Sequence, residues 1–186
     1  MTNNQTDHLL YFAFGSNMLS TRLCRRCPGA RFRTAAVAHG RRVEFNKLSE
    51  DSSGKANLVA ANRAAAPGVV YKLPAAELPA LDAFEGPGYR RVDDLLVTCL
   101  DSHDELTAVT YVARKKVSGL QPFDWYLALV LAGMHEHAFD SEHVKMVRSA
   151  GFVVDPEPSR VTRLNAMQDL AAAGYDDYAR LLSGTP

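Results

Sequence analysis

Tyr11-Phe12-Ala13-Phe14-Gly15-Ser16-Asn17-Met18 is the segment that most constrains this chain, because an apolar, aromatic run passes directly into three small turn-forming residues. A strand that ends this way presents backbone N–H groups at its carboxyl end. Gly15 tolerates positive φ, and Ser16 and Asn17 are good N-cap types, so the turn can aim unpaired amides at a carbonyl or carboxylate. Strand, turn and helix also describe an ordinary α/β connection, so the motif gains meaning only beside a second one. That second segment is Leu81-Asp82-Ala83-Phe84-Glu85-Gly86-Pro87-Gly88-Tyr89-Arg90-Arg91, in which an acid sits directly before a Gly-Pro-Gly turn.

Together the two strings resemble the gamma-glutamylcyclotransferase (AIG2-like) family, whose members carry an aromatic-Gly-Ser-Asn loop near the N-terminus and a Leu-Asp-x-x-Glu-Gly segment further on. The resemblance covers about residues 9–150. It implies that the loop from Tyr11 through Phe12, Ala13, Phe14, Gly15 and Ser16 to Asn17 holds a gamma-glutamyl group and that Glu85 is the acid/base residue. It also implies a small, barrel-like mixed sheet flanked by helices, with the cavity at one mouth, and is compatible with a homodimer. One departure is Phe14, which stands where many members have tyrosine.

The chain has 186 residues and is 47% hydrophobic, enough for a single domain with a real core. That reading assigns a catalytic core to about 9–150 and a helical extension to about 155–186. Lys plus Arg and Asp plus Glu are 21 each, so the summed charge gives no reason to expect nucleic acid or a membrane surface as partner. Arg25, Arg26, Arg31 and Arg33 read as a solvated face, lacking the interleaved aromatics of a phosphate track. With a polar start and no apolar run of bilayer-spanning length, the expected location is the cytoplasm.

Three cysteines, Cys24, Cys27 and Cys99, make an odd count that does not suggest a disulfide framework. Cys24 and Cys27 form a C-x-x-C spacing with two arginines between, which would favour thiolate at a helix start. A metal site needs further ligands at recognisable spacing, so incidental thiols are the expectation and a thiol redox protein the weaker alternative.

Along the chain, 9–14 reads as a first strand and 20–27 as a short helix stopped by Pro28-Gly29. Strands are expected over 31–46, 57–62 and 68–72, with a surface loop at 49–55. Residues 74–84 read as a helix with Leu78, Leu81 and Phe84 on its core face, leaving Glu85 at the negative end of the helix dipole, which raises its pKa. Residues 89–100 and 105–113 alternate well enough to be an antiparallel pair. Helices follow at about 122–135, with Trp125, Leu129 and Ala132 on one apolar side, and at 141–150. Beyond the Asp-Pro-Glu-Pro break at 155–158, residues 160–182 read as one or two helices. The fold class is mixed α/β.

The implied chemistry is intramolecular. The free α-amine of a gamma-glutamyl compound attacks its own side-chain amide carbonyl, expels the attached amine and leaves 5-oxoproline, with no cofactor. Orientation of a tethered nucleophile is worth up to about 7–11 kcal/mol. Glu85 is expected to take the ammonium proton and return it to the leaving nitrogen, and the amides around Gly15–Asn17 to hold the α-carboxylate or the carbonyl oxygen. Tyr126 matches a position where relatives contact substrate with tyrosine, and Tyr89 follows the Glu85 turn. For both, the plain alternative is a core residue with a satisfied hydroxyl.

Ser16 is not expected to be a nucleophile, because the elbow pattern G-x-S-x-G is absent. His135, His137 and His143 read as a solvated helix terminus rather than a metal site, since alternate helical residues point to different faces. The enzyme reading, a C–N lyase or acyltransferase releasing 5-oxoproline, stands beside a second one. This is a non-catalytic gamma-glutamyl-binding or regulatory module, suggested by Phe14. Glutathione, gamma-glutamyl amino acids, gamma-glutamyl-lysine remnants and acylated natural products are all open as ligands.

Overall fold

The computed structural model describes residues 7–184. Five strands close into a barrel in the order β1 (His8–Ala13), β3 (Gly54–Pro74), β2 (Arg31–Leu48), β4 (Tyr89–Cys99) and β5 (Glu105–Ala113). Strand β1 pairs antiparallel with β3 at Tyr11↔Tyr71 and parallel with β5 at Tyr11↔Val109, so the sheet is mixed and Tyr11 sits at its closure. Closure leaves β1 without a free edge, which suits a segment buried from Tyr11 to Ala13.

The two strands expected at 57–62 and 68–72 are halves of the single strand β3. The break falls between the pairs His39↔Ala65 and Arg41↔Ala60, where residues 61–64 bulge out opposite Gly40 and Arg63 takes φ 61°. A bulge bends the strand and lets one long ribbon serve two stretches of the barrel. The loop expected at 49–55 shortens accordingly, since pairing resumes at Gly54.

Among the described residues six helices accompany the barrel: α1 (Ser20–Arg26), α2 (Leu78–Glu85), α3 (Asp124–Glu136), α4 (Ser141–Arg148), α5 (Val161–Ala172) and α6 (Ala179–Ser183). Helix α2 follows a short 3-10 turn at Ala75–Glu77, and Glu85 is its last residue. Leu81 is fully buried, but Phe84 is 56% exposed and packs no core face; the Arg26 guanidinium lies over its ring instead. Helix α3 differs from the one-sided reading, for every residue from Asp124 to Met134 is buried. A helix apolar all round belongs in the interior, and α3 is covered by α5, α6 and the turn after β1.

Gly133 makes that last contact possible. A Cβ there would lie 2.6 Å from the Leu19 backbone nitrogen and 2.7 Å from the Met18 carbonyl carbon. Gly133→Ala, which inside an exposed helix would be favourable by up to about 1 kcal/mol, is therefore expected to destabilise by about 1–3 kcal/mol. The urea midpoint should fall; an unchanged or raised midpoint would show that α3 does not seat the turn.

Candidate active site

The turn after β1 is a single 3-10 turn, Ser16–Met18, whose first residues carry no side-chain cap. Gly15 does not use the positive φ that a turn glycine permits, since its φ is −121°. It is needed for close approach, as a Cβ would stand 3.0 Å from the Ala56 Cβ and 3.2 Å from the Tyr126 hydroxyl oxygen. Gly15, Ser16 and Asn17 border a cavity of about 230 Å³, into which Tyr11, Phe14, Glu85, Tyr89 and Tyr126 also face. Phe12 and Ala13, expected in the same loop, do not line it. The Phe12 ring fills the space a side chain at Gly68 would need, and Ala13 pairs with Val69 inside the barrel wall.

Asn17 organises the site. Its Nδ2 donates to Glu85 Oε1 at 2.9 Å and to the Tyr11 hydroxyl at 3.0 Å, and its Oδ1 accepts from Arg26 Nη1 at 2.9 Å. An amide buried with its donors and acceptor all engaged fixes both neighbours in place. Burial pushes the Glu85 carboxyl above the ordinary carboxylate value, while Arg26, Arg22 and the Asn17 hydrogen bond oppose the shift. Desolvation thus replaces the helix dipole as the cause anticipated from the chain order. Burial, then the charge of Glu85, also raises the Tyr11 phenol well above its usual range, so it stays protonated.

Tyr126 and Tyr89 hold both backbone polar groups of one residue, Ala56. The Tyr126 hydroxyl accepts from the Ala56 amide at 3.2 Å, and the Tyr89 hydroxyl donates to the Ala56 carbonyl at 2.8 Å. Tyr111 lies edge-on to Tyr11 at 6.1 Å and donates to Asp82 Oδ1 at 2.6 Å.

Arginines and lysines complete the wall, and here the sequence reading requires correction. Arg26 is part of the site rather than of a solvated face, and Arg22, which that reading passed over, is buried. Arg22 Nε donates to Ser16 Oγ at 3.1 Å and its Nη1 pairs with Asp169 Oδ2 at 3.1 Å; Arg25 reaches the same oxygen at 2.6 Å. The legible signal was spacing: Arg22 and Arg26 stand at i and i+4, on one helix face beside the turn. Lys55 Nζ lies 4.6 Å from the Trp125 ring centroid and 4.8 Å from that of Tyr126, and bonds Asp51 Oδ2 at 2.8 Å.

Cys24 and Cys27 are free thiols at the end of α1, not its start. Burial pushes both thiols up, Cys27 to about 11, the opposite of what redox chemistry requires. His135 is exposed, but His137 is not solvated: it stacks on Phe32 at 4.6 Å and its Nε2 lies 3.0 Å from the Met18 carbonyl. Among the described residues no group of His, Cys, Asp and Glu could hold a metal ion, and no helix is long and apolar enough to cross a membrane.

Solved structures share this architecture, among them the following three. An uncharacterized protein from Homo sapiens is 23% identical over 87% of this chain and 98% of its own, with a TM-score of 0.78. A gamma-glutamyl cyclotransferase is 22% identical over 87% and 99%, with a TM-score of 0.79. YkqA from Bacillus subtilis is 19% identical over 77% and 54%, with a TM-score of 0.63. These likenesses establish the fold. No curated protein sequence matches the chain. The sequence profile described as gamma-glutamyl cyclotransferase, AIG2-like matches residues 11–127, which include the turn, Glu85 and Tyr126. The chain belongs to that family.

Proposed function

We propose that this protein is a gamma-glutamyl cyclotransferase that converts a gamma-glutamyl amino acid or amine into 5-oxoproline and the free amine. The observation that carries this reading is the Asn17–Glu85 hydrogen bond, which joins a carboxyl group to a backbone turn 68 positions earlier inside one cavity. At about 230 Å³ the cavity is smaller than sites for drug-sized ligands, about 300–1,000 Å³. It suits a compact, folded glutamyl head.

Each chemical need has a candidate. Glu85, raised by burial, takes a proton from the α-ammonium as the nitrogen closes on the γ-carbonyl, then returns it to the departing nitrogen. The Tyr11 hydroxyl accepts from Asn17, so its own proton is free to stabilise the developing oxyanion. Arg26, held by Asn17, is the natural partner for the glutamyl α-carboxylate. The amides of Ser16 and Asn17, in a turn without a side-chain cap, add donors at the same wall.

The test is to incubate pure protein with glutathione, gamma-glutamylalanine, gamma-glutamylethylamide and the gamma-glutamyl-lysine isopeptide, and to follow 5-oxoproline and free amine by mass. One substrate at least should give the two products in equal amounts. Phe14, apolar at the cavity wall, keeps a second reading in play: calorimetric binding with no product from any compound would make the protein a binding module.

A further inference from the structure

We infer that Lys47 determines specificity by binding an anionic group on the amine that leaves, so that the preferred substrates are gamma-glutamyl compounds whose amine carries a carboxylate beside its nitrogen. This rests on the cyclotransferase reading and narrows it. The cavity is lined by four cations, Arg22, Arg26, Lys47 and Lys55, against a single carboxylate, Glu85. Arg22 is paired with Asp169 and Lys55 with Asp51, so neither has charge to spare. Arg26 is anchored on Asn17 and serves the glutamyl head.

Lys47 is different. Among the described residues its ammonium forms no ion pair or side-chain hydrogen bond; Nζ lies 5.1 Å over the Tyr89 ring, a contact that places a cation without neutralising it. The side chain rests against the turn that follows Glu85, for a Cβ at Gly88 would stand 2.8 Å from Lys47 Cε and 3.2 Å from Nζ. Gly88 therefore leaves the space that the lysine occupies. Strand pairing fixes the origin of the side chain, since Lys47 is opposite Lys55 in the β2–β3 ladder.

Charge balance supplies the ligand. A bound glutamyl head brings an ammonium, matched by Glu85, and an α-carboxylate, matched by Arg26. An uncharged leaving amine would leave Lys47 unmatched at the cavity wall, whereas an amino-acid carboxylate would sit near the nitrogen that Glu85 protonates, within reach of the same turn. A carboxylate several carbons away, as on a lysine side-chain isopeptide, would overshoot it.

The experiment compares gamma-glutamylalanine with gamma-glutamylethylamide, which differ by one carboxylate, in the unaltered protein and in Lys47→Met. The unaltered protein should favour the alanine compound. In Lys47→Met the ratio of the two kcat/KM values should fall by about ten- to a hundredfold, mostly through KM, the range expected for losing one charge-assisted hydrogen bond. Lys47→Arg should recover part of the preference. Equal losses with both substrates, or no loss, would overturn the assignment. If neither compound yields 5-oxoproline, the cyclotransferase reading falls by itself, and calorimetry on the same four pairs still decides Lys47: tighter binding of the alanine compound that disappears in Lys47→Met supports it, and equal binding sinks it.

Discussion

Glu85→Gln is expected to lower kcat for 5-oxoproline formation by a factor of about 10²–10⁴, equivalent to about 2.7–5.5 kcal/mol of barrier, while leaving the protein folded and more stable near neutral pH. The glutamine carbonyl can still accept from Asn17 Nδ2, so the variant keeps the shape of the site and loses only the group that exchanges a proton. Its stability follows from the direction of the carboxyl shift. Burial raises the folded-state pKa above the ordinary carboxylate value, so the carboxyl contributes stability below the unfolded value that is lost as pH rises through the folded one. Removing the titration should raise the melting temperature of Glu85→Gln relative to the parent on the alkaline side of that window and not below it. The acid limb of kcat/KM in the parent should lie above the ordinary carboxylate range, because the base must be ionised to accept the ammonium proton. Initial rates and melting curves between pH 4 and 8, the range spanning the usual carboxylate pKa, measure both effects. Undiminished turnover in the variant would remove Glu85 from the mechanism.

The parts of this site that could be read from the chain are those whose meaning is local. An aromatic strand ending in Gly15-Ser16-Asn17 has to turn there, and an acid before Gly86-Pro87-Gly88 has to sit at a helix end, whatever surrounds them. Strand alternation gave β4 and β5 nearly to the residue. What the chain order hides is register. Residues 63–67, between the two expected strands, belong to one continuous strand: Pro67 is paired with Val37, and residues 61–64 form its bulge. The hairpin that closes at Leu48↔Gly54 sets Lys47 beside Lys55, and both line the cavity. Alternation separates Tyr11, which lines the cavity, from Phe12, whose ring lies over Gly68, and Phe14 reaches the cavity from beyond the end of the strand. Glu85 was expected to be shifted by a dipole; its desolvation depends on Tyr11, Arg26 and Tyr89, which arrive from three other elements.

Asp169 is the residue that no local pattern could have revealed, and removing it should cost the most stability. It lies in α5, outside the 11–127 stretch matched by the family profile, yet its carboxylate is 4% exposed and receives Arg22 at 3.1 Å and Arg25 at 2.6 Å. The Arg25 side chain is 41% exposed, so that pair is screened and adds little. Arg22 is 9% exposed, and its other bond runs to Ser16 Oγ in the turn. Asp169→Ala would strand a buried guanidinium, a loss of about 3–5 kcal/mol for breaking one side of a buried pair. Replacing both partners with apolar residues, Asp169→Leu with Arg22→Met, should recover much of that stability, since no charge is then left unmatched. The same double variant should not recover substrate affinity, because Ser16 has still lost the group that holds its hydroxyl. Urea denaturation of the two single variants and the double, read beside KM for whichever gamma-glutamyl compound turns over, separates the two roles. A loss below about 1 kcal/mol in Asp169→Ala, the scale of an exposed pair, would mean that α5 covers the site without holding it.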